Sequence, residues 1–183
     1  MTPLPIKSLA MALTMLYLAS SIGAAKAEDL EIGKTYQGGA LIEAKAYGLS
    51  FTVPIGWSGL LPPGGTFFAM TPDNRTFIFA TAELGSVKDA QGALVQPLPL
   101  GNGVKLEPIG SPRVADNGFA IDYSVLGAQE PLGSEGRAVV GETGVIAGFI
   151  GVAPKDQVQA MRLALAEITA AVGFEDLDNS TAE

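Results

Sequence analysis

Val158, Met161, Leu165, Ile168 and Val172 recur at steps of three and four near the end of the chain. On a helix they form one apolar stripe, with Asp156, Gln159 and Glu167 elsewhere on the wheel. The stripe has to be buried, and the segments available to bury it are strand-like, so the chain is constrained to a sheet with a helix laid over one face. Pro154 suits the first turn of that helix and Gly173 its left-handed C-terminal position. Phe174 is placed to pack back on Ile168.

The strand-like segments begin at Tyr47. Leu49, Phe51 and Val53 alternate with Ser50 and Thr52, as on a strand with one buried face, and Pro54 ends it. The chain's only Trp, Trp57, follows the turn and is expected to cover the apolar edge of the core. Leu60-Leu61-Pro62-Pro63-Gly64-Gly65 reads as a loop by its Pro and Gly content. Thr66 to Met70 and Thr76 to Leu84 form a hairpin about Pro72-Asp73-Asn74-Arg75. Phe77, Phe79 and Thr81 face one way and Ile78, Ala80 and Ala82 the other, the pattern of a central strand covered on both sides.

Ser86-Val87-Lys88-Asp89 is a capping-box sequence and starts a short helix running to Val95, ended by Pro97 and Pro99. Val104 to Ile109 reads as a strand, Ser111-Pro112-Arg113 as a turn, Gly118 to Leu126 as an alternating strand, and Gln129 to Gly136 as a polar loop. Ala138 to Gly141 and Val145 to Val152 pair about Glu142-Thr143-Gly144, with Gly148 and Gly151 leaving room for close approach. The expected fold class is therefore α+β: a central antiparallel sheet of about six to seven strands, covered by a long C-terminal helix and a shorter mid-chain helix. A single domain is expected over residues 47–174, after a charged lead-in at 28–46 with one short strand at Ala40 to Glu43, and before an acidic disordered tail at 175–183.

Residues 1–27 differ in kind. Lys7 precedes an apolar run from Leu9 to Ile22, followed by Ala25-Lys26-Ala27. That is the pattern of a secretory signal cleaved after Ala27, too short to span a bilayer and leaving no membrane anchor once removed. Export to the periplasm or beyond is expected. With Lys7 and Lys26 removed, the 11 basic residues become 9 against 19 acidic, taking the net charge from −8 to −10. Nucleic acid and anionic membrane are poor partners for such a surface.

The chain has no Cys and no His. Disulfides, thiolate sites, Ser-His-Asp and Cys-His catalysis are thereby removed, along with most zinc and copper sites. Gly56-Trp57-Ser58-Gly59 is not a nucleophile elbow, and Gly101-Asn102-Gly103 lacks the Lys of a P-loop. Carboxylates remain: Asp122 and Glu142 are the pair to weigh for a small periplasmic hydrolase, the alternative reading. Asp73 and Asn74 lack the ligand spacing of a calcium loop. The sequons at Asn74 and Asn179 read as coincidence, because a glycosylated secreted domain more often carries disulfides.

The order of elements resembles the PsbP-like/Mog1 fold over about residues 47–174, on Phe51, Val53, Pro54, Trp57 and the Val158 to Phe174 segment. These are packing residues, and they speak for fold. That fold includes extrinsic photosystem subunits, a Ran-binding protein and exported bacterial proteins, so the resemblance implies a non-enzymatic binding role. The expectation is a monomeric exported binding or accessory protein with no catalytic residues, metal or cofactor, taking a protein or a small apolar ligand. Trp57, Leu60 and Leu61 are apolar groups on a Pro-stiffened loop: such residues either fold back onto the sheet edge or wait for a partner, and in the second case these three are the expected binding residues.

Overall fold

The computed structural model describes residues 27–115 and 117–175. Residues 1–26 of the expected signal and residues 176–183 of the expected tail lie outside them. The described residues are α+β, with two α-helices and thirteen strands in two sheets. In order they are β1 (Glu28–Asp29), β2 (Thr35–Gln37), β3 (Leu41–Ala44), β4 (Leu49–Thr52), β5 (Ser58–Leu60), β6 (Phe68–Thr71), β7 (Phe77–Leu84), α1 (Val87–Leu94), β8 (Leu98–Gly101), β9 (Val104–Ala115), β10 (Gly118–Leu126), β11 (Leu132–Val140), β12 (Val145–Pro154), α2 (Val158–Ala170) and β13 (Gly173–Phe174).

The main sheet has nine strands in the order β2-β5-β6-β7-β12-β11-β10-β9-β8, more than the six to seven expected. All its pairs are antiparallel. A second sheet, β1-β3-β4-β13, contains the one parallel pair, β1 with β3. The main-sheet strands not expected are β2, β5 and β8. Residues 28–46, read as a lead-in, supply three strands, and the aromatic ring of Tyr36 is buried while its hydroxyl donates to the carbonyl of Asp29 at 2.5 Å. β9 continues past the expected Ser111-Pro112-Arg113 turn by way of a bulge: Ile109 pairs with Asp122 and Arg113 with Ala120, Gly110 takes a φ of 77°, and the strand has no β8 partner beyond Leu106. Pro112 therefore breaks no ladder on that side.

Alternation along β12 assigns the two faces of the main sheet. Ala147, Phe149 and Ala153 join one core with Met161, Ala164, Leu165 and Ile168 of α2 and with Phe51 and Val53. Ile146 and Val152 join a second core with Ala90 and Leu94 of α1, Leu106, Ile121 and Tyr123. The helices thus lie on opposite faces, α2 across β11 and β12 and α1 against β9, β10 and β11. Every residue of the expected stripe except its ends is buried. The helix is shorter than its pattern, however. Pro154 ends β12 instead of opening α2, and Gly173 pairs with Ser50 as strand, with no left-handed φ. The capping box forms as expected, Ser86 Oγ accepting from Asp89 N at 3.3 Å and Asp89 Oδ2 accepting from Ser86 N at 2.8 Å.

Candidate functional site

The three expected binding residues do not form one surface. Trp57 follows a turn closed by its own amide donating to the Pro54 carbonyl, with Gly56 at φ 82°, and its ring packs partly onto the α2-side core. It borders a shallow depression with Gln37, Ser58 and Thr71. Leu60 is the last residue of β5, hydrogen-bonded on both sides to β2 and β6, and 37 % exposed. Leu61 forms a bridge to Ile32 and packs against the core, lining a cavity of about 190 Å³ with Leu30, Tyr47, Phe51 and Phe68. Pairing, which residue type did not reveal, turns the expected loop into strand as far as Leu60. Leu60 is the more exposed of the pair, and Leu61 is half-buried.

The carboxylates singled out for catalysis do not converge. Asp122 lies opposite Glu135 across β10 and β11, while Glu142 is exposed in the turn beyond Val140. Asp122 is also fully engaged, with Oδ2 at 3.2 Å from Nη1 of Arg113 and Oδ1 paired with Nη2 of Arg162. Beside it, Glu135 is buried among three guanidinium groups: Arg113 Nη2 at 2.8 Å, Arg137 Nε at 2.7 Å and Arg162 Nε at 3.3 Å. Two carboxylates and three arginines tie β9, β10, β11 and α2 together on one face. The segment Gln129 to Gly136, expected to be a polar loop, is strand from Leu132 onward because these partners make a buried Glu tolerable there.

Asp73 is engaged as well. Its Oδ1 accepts from the amides of Arg75 and Thr76, both at 2.9 Å, and its Oδ2 accepts from Gln157 Nε2 at 2.8 Å. The two amide bonds hold its carboxyl below the usual carboxylate range. It fixes the β6–β7 turn against the start of α2. Among the described residues no three Asp or Glu side chains gather as metal ligands.

Among the described residues, a cleft of about 250 Å³ with largely apolar walls lies between α1 and the sheet. Ala90, Ala93 and Leu94 form one wall, and Tyr123, Ile146 and Ile150 the other. Small residues create the space: Ala138 and Gly148 stand side by side on β11 and β12. The Tyr123 hydroxyl donates to the Leu94 carbonyl at 2.6 Å, and burial pushes its pKa up to about 12. Thr81 and Glu83 stand at the β7 side, both exposed. Arg137 borders the cleft with its backbone only, since its guanidinium is bonded to Glu135 and Thr169 on the other face. Sequence reasoning missed this cleft. The available signal was the Gly148 gap, which marked space without saying that α1 would frame it.

No protein-family model matches the chain, and no curated protein matches it. Among solved structures it is similar to the solution structure of cyanobacterial PsbP (CyanoP) from Synechocystis sp. PCC 6803. The TM-score is 0.51 at 14 % identity, covering 78 % of this chain and 92 % of that one. The fold is PsbP-like, as the resemblance in Phe51, Pro54, Trp57 and the terminal helix implied.

Proposed function

We propose that this chain is an exported accessory protein that acts by binding and not by chemistry. One contrast carries the reading: the acidic groups available for acid–base work are engaged or isolated, while the cleft under α1 has apolar walls. A general acid or base has to reach the proton it moves, and each oxygen of Asp122 already faces a guanidinium. Glu142 stands apart in an exposed turn. A carboxylate hydrolase has no geometric support here, and the PsbP-like fold is in keeping with a non-catalytic role.

Export rests on Lys7, the apolar run Leu9 to Ile22 and Ala25-Lys26-Ala27. Sequencing the N-terminus of the exported protein should give Glu28 first, and a start at Met1 would mean the apolar segment is kept. The partner is a protein or a small apolar ligand, and of the expected Trp57, Leu60 and Leu61 the first two are the proposed contact residues for a protein, since Leu61 packs on the core. Affinity capture from the exported fraction tests the function. A discrete, saturable partner or ligand supports it, whereas turnover of ester, glycoside or peptide substrates, lost in Asp122→Asn, would overturn it.

A further inference from the structure

The cleft under α1 narrows the class of ligand. Its accessible apolar surface comes from Ala93, Leu98 and Ile150, with Leu94, Tyr123 and Ile146 buried beneath them. Apolar cavities of roughly 150 Å³ accept a benzene ring, so about 250 Å³ has room for one ring and a two- or three-atom arm.

Charge decides the rest. Two charged residues border the cleft, and the guanidinium of Arg137 is committed to Glu135 and Thr169 on the opposite face. Glu83 is on the cleft side: it pairs in register with Ile146, which belongs to the α1-side core, and its side chain is exposed. Thr81, two residues back on the same face, adds a hydroxyl that can accept from a donor. At the bottom, the Tyr123 hydroxyl has its proton committed to the Leu94 carbonyl and offers only acceptor capacity. Acceptors and one negative charge therefore surround an apolar slot. The protein's net charge of −8 acts in the same direction on any approaching ion.

We infer that this cleft binds a small aromatic or short-chain amine, its apolar body against Ala93, Leu98 and Ile150 and its ammonium at Glu83. The inference rests on the non-catalytic binding role proposed above. Anions of the same shape are disfavoured by Glu83, and neutral analogues bind through the slot alone. An exposed ion pair contributes modestly, so the amine should bind roughly two- to fivefold more tightly than its alcohol analogue.

The test is a chemical-shift titration of the full chain with 2-phenylethylamine, 2-phenylethanol and 3-phenylpropanoate, with methylamine as the control for charge alone. The expected order is amine, then alcohol, then acid, with perturbed amides on α1 and at Gly148 and Ile150 and none from methylamine. Glu83→Gln should bring the amine down to the alcohol's affinity and leave the alcohol unchanged. Ala93→Phe, a change at an exposed helix position that fills the slot, should remove binding of all three. Equal binding of acid and amine, unchanged binding in Ala93→Phe, or no perturbation by any ring compound would each overturn the inference. Those failures are separable from failure of the proposed function, which is read by substrate turnover and by capture from the exported fraction.

Discussion

Glu135 and Arg137, two residues apart on β11, are joined by a 2.7 Å contact between Oε1 and Nε, with Glu135 only 1 % exposed. A carboxylate at that depth is tolerable because Arg113 and Arg162 approach its other oxygen. Removing it leaves three guanidinium groups facing one another beside Asp122. Glu135→Ala should destabilise the protein by about 3 kcal/mol or more in urea unfolding. Arg113→Lys, at a half-exposed position, should cost under about 1 kcal/mol.

The stripe on α2 makes a harsher prediction. Leu165 is fully buried against the main sheet, close enough to β12 that a side chain at Gly151 would strike its Cδ1. Leu165→Asp places an unpaired charge there, at a cost of several kcal/mol against a typical total stability of about 5 to 15. Circular dichroism should show no cooperative melt.

Leu60 and Leu61 are expected to separate. Leu60 points to solvent from β5, and Leu60→Ser should leave the melting temperature within about 2 °C of wild type. Leu61 packs on the core beside Phe51 and Phe68, so Leu61→Ser should destabilise by about 2 kcal/mol. Partner capture compared between wild type and Leu60→Ser then reports on binding alone.

Tyr123 sets an alkaline limit. Its pKa of about 12 in the fold stands above the ordinary 10, and the cause is burial. Below pH 10 the hydroxyl is protonated in both folded and unfolded chains, and its contribution is complete. As pH rises from 10 to 12 the unfolded chain loses the proton first, so this group's share of the stability falls by roughly 1.4 kcal/mol per pH unit and is gone above 12. Urea unfolding at successive pH values should show that share missing in Tyr123→Phe, which also loses the bond to Leu94 at a cost of about 1 kcal/mol.

Local chemistry was legible where one residue type has one common use. Ser86 and Asp89 specified the start of α1, Pro54 the end of the β4 strand, and the spacing from Val158 to Ile168 the core face of α2. Long-range pairing was not. Leu60 becomes strand only because β2 and β6 lie on either side of it, and Thr35 to Gln37 becomes strand only because β5 is there. Glu135 misled for a related reason: a charged residue reads as solvent-facing until its arginines, one of them distant in sequence on α2, are brought to it. The cleft was hidden in the same way, since its walls come from α1 and from strands far along the chain.

The two-residue strand β13 has a temporal consequence. Gly173 and Phe174 pair with Ser50 and Leu49, the Glu175 amide donates to the Gly48 carbonyl at 2.7 Å, and the Phe174 ring occupies the space left by Gly141. The smaller sheet is thus closed by the last described residues of the chain against some of the first. A contact between positions so far apart in sequence carries a large loop-closure cost and forms late. Until Gly173 and Phe174 have been made, β4 waits with one edge open, so a chain that lacks them presents a strand edge that β13 otherwise covers.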